Sequence, residues 1–230
     1  MILQVGWPTK FPNKDELEKT IRVLERKLGI PVDSMKHYER LIDILSTILF
    51  PEKKEPWYFF VPALARYSDW LYVHCIHVAL LSLIIGNKFG YTKQMLFELA
   101  LGAFFHDIGK IYIPMTILDK PDKLTAVETD IMREHARLGV AALSRYKLPA
   151  TCLEIIGNHH ERLDGSGYPQ GLTADKISEQ TQIVMVMDAL DAISANRPYQ
   201  VPRSFSQALT IIAKEKDKYA QHIVAAVAEL

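Results

Sequence analysis

The chain has 230 residues, 49% hydrophobic and 23% charged, which suits one main domain with an appendage and leaves enough apolar material for a sizeable core. Its 27 basic residues balance 27 acidic ones, so no broad positive field favours a long nucleic acid, while a small phosphorylated ligand needs only a few local cations. Cys75 and Cys152, the two cysteines, sit in apolar surroundings and form no disulfide framework. The longest apolar run, Val78 to Ile85, is well short of the about 20 residues of a bilayer span. No basic segment leads into an apolar one at the N-terminus, and the expectation is a cytoplasmic protein with no membrane span.

Residues 1 to about 60 read as a helical appendage. Asn13 with Glu16 is an N-terminal cap, Leu17, Ile21, Leu24 and Leu28 recur at helical spacing, and Gly29 followed by Pro31 is a stop. A second helix is predicted from Ser34 to Phe50, with Leu41, Ile44, Leu45 and Ile48 on one face. This appendage is a packing extension or a sensory or dimerising piece. Pro51 to Pro62 reads as a connector whose Trp57, Tyr58, Phe59 and Phe60 dock it on the main domain or form an exposed contact patch.

Further along, everything predicts helix. One long helix runs from Asp69 to Phe89, and another from Thr92 to Phe105 carries His106 and Asp107 at its end, with Gly109 as its stop. Thr125 and Glu128 form a capping box that opens a helix through Met132, His135 and Leu138 to about Tyr146. Pro149 stands near the start of a helix that delivers His159 and His160. Ser178 to Ala195, Ser204 to Lys214 and Tyr219 to Leu230 complete the set. With no sustained alternating pattern, the fold class is all-α.

Two stretches are dense in chemistry. His106 and Asp107 put an imidazole beside a hard carboxylate, a metal-ligand pair. On one helix they diverge by about 100°, but at a helix end they can converge. The second stretch runs His-His-Glu-Arg-Leu-Asp-Gly-Ser-Gly-Tyr-Pro from His159 to Pro169, two histidines leading into a loop that glycine and proline shape. Asp188 interrupts the apolar run Ile183 to Met187, where an unpaired carboxylate costs several kcal/mol, so it is expected to be ionised against a cation or else neutralised, and a metal fits better than any lysine near it in the sequence. Asp191 follows one turn later. His135, the lone histidine on its helix, and His74, one turn before Val78, are by themselves ordinary partly buried histidines.

His-Asp-Ile-Gly-Lys followed by His-His-Glu-x-x-Asp-Gly-x-Gly-Tyr-Pro resembles the HD-GYP family, bacterial phosphodiesterases of cyclic di-GMP within the HD phosphohydrolase superfamily. The resemblance implies an HD-domain-type helical bundle over residues 62–230, with 1–61 as N-terminal extension and connector. It implies a metal set of His74, His106, Asp107, His135, His159, His160 and Asp188, holding two divalent first-row ions, iron or manganese. Some members bind a third ion through a glutamate four residues before the position of His74; Trp70 stands there, which predicts two ions. A metal-bridged hydroxide would attack the phosphate of cyclic di-GMP, giving linear pGpG, with further cleavage to GMP left open. Asp107, Lys110 and Asp191 are the catalytic candidates, Asp191 in a supporting place as readily as a catalytic one. Lys110, Arg197, Gly165 and Tyr168 are the substrate-binding ones. Glu161 and Asp164 are expected to orient the histidines and brace the loop. The family's basic residues at the positions of His77 and Gln200 are missing, which keeps open a catalytically weak sensor or adaptor module. A GGDEF-type signalling partner is implied, and the oligomeric state, a homodimer included, stays open.

Overall fold

The computed structural model describes residues 14–28, 39–194 and 203–230. Asn13, Gly29, Pro31, Ser34, Ala195, Arg197 and Gln200 lie outside the described residues, as do the side chains of Glu16 and Leu28. The described helices are α1 (Lys14–Leu28), α2 (Glu39–Leu49), α3 (Phe60–Tyr67), α4 (Asp69–Lys88), α5 (Lys93–Phe105), α6 (Met115–Leu118), α7 (Ala126–Arg133), α8 (His135–Leu143), α9 (Ala150–Asn158), α10 (Glu179–Ser194), α11 (Phe205–Lys214) and α12 (Gln221–Ala228). Three 3₁₀ turns, Pro56–Phe59, Ile108–Tyr112 and Ala174–Lys176, join them, and the described residues contain no strand beyond one isolated bridge between Asp164 and Thr173.

The centre of the fold is α4. It is apolar on every side, which is the pattern of a helix buried all round. Its 20 residues have the length and hydropathy of a membrane span, yet 83% of that window is buried inside the protein. α5 and α10 pack along it, α9 packs on α5, and α8 lies against α9. The core runs without interruption from Leu17 and Leu24 of α1, through Leu45 and Ile48 of α2, to Ile223 and Val227 of α12. α1 and α2 pack on α4 and α5 and share that core. The expected boundary at residue 62 falls inside α3, so the N-terminal helices and the rest are continuous at that point. Trp57 meets the edge of Phe105 at 5.7 Å and Phe60 meets Tyr146 at 5.7 Å, whereas Phe59 is exposed. The segment expected as a connector is thus a 3₁₀ turn and the start of a helix.

Two further differences from the sequence reading matter for the site. The helix predicted from Thr125 to Tyr146 is two helices, because Glu134 breaks it and α8 begins on His135. The capping box at Thr125 and Glu128 is present as expected. Gly109 is not a left-handed helix stop: α5 already ends at Phe105, and Gly109 lies inside the 3₁₀ turn without a positive φ. Its lack of a side chain serves close approach. A Cβ there would fall 1.8 Å from the carbonyl oxygen of His135 and 2.7 Å from the amide nitrogen of Gly139. Glycine lets the turn carrying Asp107 and Lys110 lie directly on α8, and that contact brings Asp107 to His135.

Candidate metal centre

Five elements deliver the polar residues to one buried point. α4 brings His74, and the end of α5 brings His106, whose backbone is still helical at φ −52° and ψ −38°. Asp107 departs to φ −100° and ψ 7°, so the two neighbours turn toward one centre instead of diverging around a helix. α8 opens with His135, α9 ends just before His159 and His160, and α10 brings Asp188. His74, His106, Asp107, His135 and His159 are all buried almost completely.

Asp107 divides the site in two. Its Oδ1 lies 3.3 Å from His135 Nε2 and 3.7 Å from His159 Nε2. Its Oδ2 lies 3.6 Å from His74 Nε2 and 3.4 Å from His106 Nε2. The first set, with His160, offers four ligand atoms within 4.8 Å of one another; His74, His106 and Asp188 form a second such set. Asp188 Oδ1 stands 3.2 Å from His74 Nε2 and its Oδ2 3.9 Å from His160 Nδ1, so it also borders both halves. All seven residues expected as ligands converge here.

The ring orientations are fixed from behind. His106 Nδ1 donates to the Ala103 carbonyl at 2.6 Å, His135 Nδ1 to the Met132 carbonyl at 2.6 Å, and His159 Nδ1 to the Ile156 carbonyl at 3.1 Å. His74 Nδ1 bonds Asp191 Oδ2 at 2.7 Å. Such outer bonds set the tautomer and leave Nε2 as a lone pair aimed inward. Asp191 therefore sits behind His74, and its other oxygen takes His77 Nδ1 at 3.1 Å. His77 was readable only as a departure from the family; its place three residues after His74, on the same helical face, was the signal that it could share a partner.

The electrostatics ask for a cation. Burial pushes His135 down to about 3, and it also pushes His159 and His160 below the usual range. Neutral His135 and His159 then point two lone pairs at each other across 3.3 Å, an arrangement that repels unless a positive charge lies near both. Burial would raise Asp107 and Asp188, but Lys110 and His106 for the first, and His74 with His106 for the second, hold both carboxylates well below their ordinary range. Burial likewise lowers His74, but Asp188 and Asp191 overcome it and lift it to about 9, so a proton is drawn to the place where a cation fits. His74 Nε2, His106 Nε2 and Asp107 Oδ1 are buried with no hydrogen-bond partner among the described residues. Ionised carboxylates, the neutral imidazoles of His135, His159 and His160, and buried inward atoms are what metal ligation requires, with a metal displacing the proton drawn to His74. The donor set fits a divalent metal.

Around this centre, Lys110 Nζ rests 2.6 Å from Asp107 Oδ2. Tyr168 stacks on the His160 ring at 4.7 Å, and the Arg133 guanidinium stands 5.2 Å from the same tyrosine ring, a contact that nothing in the sequence marked. Gly165 adopts φ 79° and its N–H closes a turn on the Arg162 carbonyl at 2.8 Å, a left-handed position that favours glycine. Glu161 is buried and accepts the backbone N–H of Gln170 at 2.7 Å and of Leu172 at 2.9 Å, bracing the loop. Asp164 does not orient a histidine. It is exposed and accepts from the Ser166 amide at 2.9 Å, because α9 ends at Asn158 and carries no helical register to His160. Trp70, one turn before His74 on α4, donates Nε1–H to Asp119 Oδ1 at 3.0 Å. Arg197 lies outside the described residues.

Comparison with known proteins follows the same lines. A family model described as HD domain matches residues 59–223. The chain is 39% identical over 171 residues to a cyclic di-GMP phosphodiesterase of Thermotoga maritima, covering 73% of this chain and 46% of that protein. It is 30% identical over 220 residues to 3'3'-cGAMP-specific phosphodiesterase 2 of Vibrio cholerae, covering 95% of this chain and 40% of that protein. The chain spans less than half the length of the curated relatives it matches. Among solved structures, an HDG"Y"P protein from Bdellovibrio bacteriovorus matches with a TM-score of 0.61 at 18% identity, covering 95% of this chain and 65% of that one. The HD domain of the L. monocytogenes phosphodiesterase PgpH, in complex with cyclic-di-AMP, matches with a TM-score of 0.58 at 16% identity, covering 74% of this chain and 92% of that one. At these identities the solved structures speak to the fold.

Proposed function

The chain belongs to the HD-domain family, in its HD-GYP branch, and from that premise we propose that it is a metal-dependent phosphodiesterase converting cyclic di-GMP, or a related cyclic dinucleotide, to the linear dinucleotide. The observation that carries this reading is Asp107, whose two oxygens each face a separate set of buried ligand atoms. Relatives named for cyclic di-GMP and for 3'3'-cGAMP support the substrate class.

His74, His106 and Asp188 would hold one ion and His135, His159 and His160 the other, with Asp107 shared. Five imidazoles and two carboxylates with no thiolate suit a first-row ion such as iron or manganese. Trp70, in place of a carboxylate one turn before His74, supports two ions rather than three. When bound, such a pair supplies a water of lowered pKa and neutralises charge on a phosphodiester.

The chain's own groups do the rest. Lys110 carries a mobile ammonium from Asp107 Oδ2 toward the phosphoryl oxygens, where charge develops. Asp191 keeps the His74 proton on Nδ1 and so keeps Nε2 available. Tyr168 holds the plane of His160 at the rim, and Gly165 shapes the loop beside it. Arg197 is assigned to substrate phosphate on the resemblance.

The test is turnover. Protein purified anaerobically and loaded with iron or manganese is incubated with cyclic di-GMP, and products are separated by chromatography. Linear pGpG from the wild type and none from Asp107→Ala is the expected result. A metal-bound wild type that leaves the substrate intact would overturn the proposal.

A further inference from the structure

A cavity of about 360 Å³ opens beside the metal centre, with Trp70, Lys110, Lys120, Pro121, Lys123 and Met132 in its wall. Two of these residues also touch the ligand set: Lys110 Nζ lies 2.6 Å from Asp107 Oδ2, and the Met132 carbonyl accepts from His135 Nδ1 at 2.6 Å. The volume lies within the range of small-molecule sites, about 300–1,000 Å³. Its chemistry is mixed in a specific way. Trp70 is a flat indole whose Nε1–H is fixed on Asp119, so the ring has a set orientation. Lys120 is neutralised by Glu128, with Nζ 2.6 and 2.8 Å from the two carboxylate oxygens. Lys123 is exposed and has no ion-pair partner among the described residues, and Asp122 is the acidic member of the wall. An aromatic platform, cations and direct continuity with a phosphodiester centre describe a nucleotide.

Resting on the phosphodiesterase reading, we propose that this cavity is a nucleoside subsite and that Trp70 is its specificity-determining residue. The indole stacks one base of the cyclic dinucleotide, while Lys110 and Lys123 face the phosphate that joins it to the reacting diester. Trp70 touches substrate but no reacting atom, so its effect falls on the recognition of base-bearing substrates.

The experiment compares cyclic di-GMP with bis(p-nitrophenyl) phosphate, a diester that has no nucleobase, on the manganese-loaded full chain. Two variants replace the indole by a smaller apolar group and both lose the bond to Asp119: Trp70→Phe keeps an aromatic face, and Trp70→Leu does not. The readout is the ratio of kcat/KM for cyclic di-GMP to that for the base-free diester. Trp70→Leu is expected to lower the ratio about tenfold or more, mostly through KM, and Trp70→Phe to keep it within about threefold, as base–aromatic stacking predicts. Ratios alike in the two variants would overturn the subsite, whether both stay near wild type or both fall. If the wild type hydrolyses the two diesters and the variants are alike, the subsite fails and the phosphodiesterase reading stands. A wild type inert toward both removes the reading, and the subsite with it.

Discussion

His74 and Asp191 meet at 2.7 Å, imidazole Nδ1 to carboxylate Oδ2, both buried. The bond turns His74 Nε2 toward Asp188 at 3.2 Å and Asp107 at 3.6 Å, so a residue outside the candidate ligand set fixes the aim of one inside it. Replacing Asp191 by Asn keeps the volume and removes the charge that favours this tautomer. Metal affinity is expected to fall about 10- to 100-fold, as for other outer-shell partners of metal-binding histidines. Competition against a chelating dye measures it, and an unaltered affinity would contradict the positioning role.

The same pair sets a pH dependence. The ordinary histidine value is about 6.5, and burial would lower His74, but Asp188 and Asp191 raise it to about 9. A group raised on folding stabilises the metal-free protein fully below its unfolded value, and that contribution is lost as pH rises from about 6.5 through about 9. A metal competes for the same nitrogen. Loading at pH 7.5 should therefore release about one proton per chain from His74, and none from His135, which burial holds near about 3. Calorimetry in buffers of different ionisation enthalpy counts the protons. Uptake without proton release would show that His74 is not a ligand.

Lys110 pairs with the Asp107 oxygen that faces His74 and His106. Lys110→Gln retains a polar chain without the charge. Turnover of cyclic di-GMP is expected to fall about 10²–10³-fold while metal content stays at the wild-type value, because a charge aimed at the developing phosphoryl anion is lost. Loss of metal in step with activity would instead make Lys110 a prop for Asp107.

Gly109→Ala tests how the site is assembled. The new methyl would meet the His135 carbonyl at 1.8 Å, and backbone has little room to yield. Strain from overpacking of this kind costs about 3 kcal/mol or more, which for a chain of this size is a Tm drop of roughly 6–12 °C. A thermal melt within about 2 °C of wild type would mean that the turn and α8 can separate freely.

Much of this was legible in the sequence because the signals were local. Capping at Thr125 and the long apolar stretches of α4 and α10 placed elements. The two histidine-rich stretches and the carboxylate inside an apolar run marked His106, Asp107, His159, His160 and Asp188, and the family resemblance added His74 and His135. What escaped depends on contacts distant in the chain. No propensity marks the break at Glu134, which serves the docking of the 3₁₀ turn on α8. Gly109 looked like a helix stop because a glycine after a helix usually is one; only the carbonyl of His135, 26 residues later in the sequence, explains it. Asp191 has two partners more than a hundred residues away, and one of them, His77, looked like a lost contact. Asp164 stands four residues after His160, but α9 ends at Asn158, so no helical register brings the two together.

The most direct measurement is hydrolysis of cyclic di-GMP as manganese is titrated into metal-free protein. Two half-sites sharing Asp107 predict that linear product appears only with metal and that its rate levels off at about two ions per chain. No product at any loading, or a plateau at one ion or at three, would contradict the binuclear phosphodiesterase.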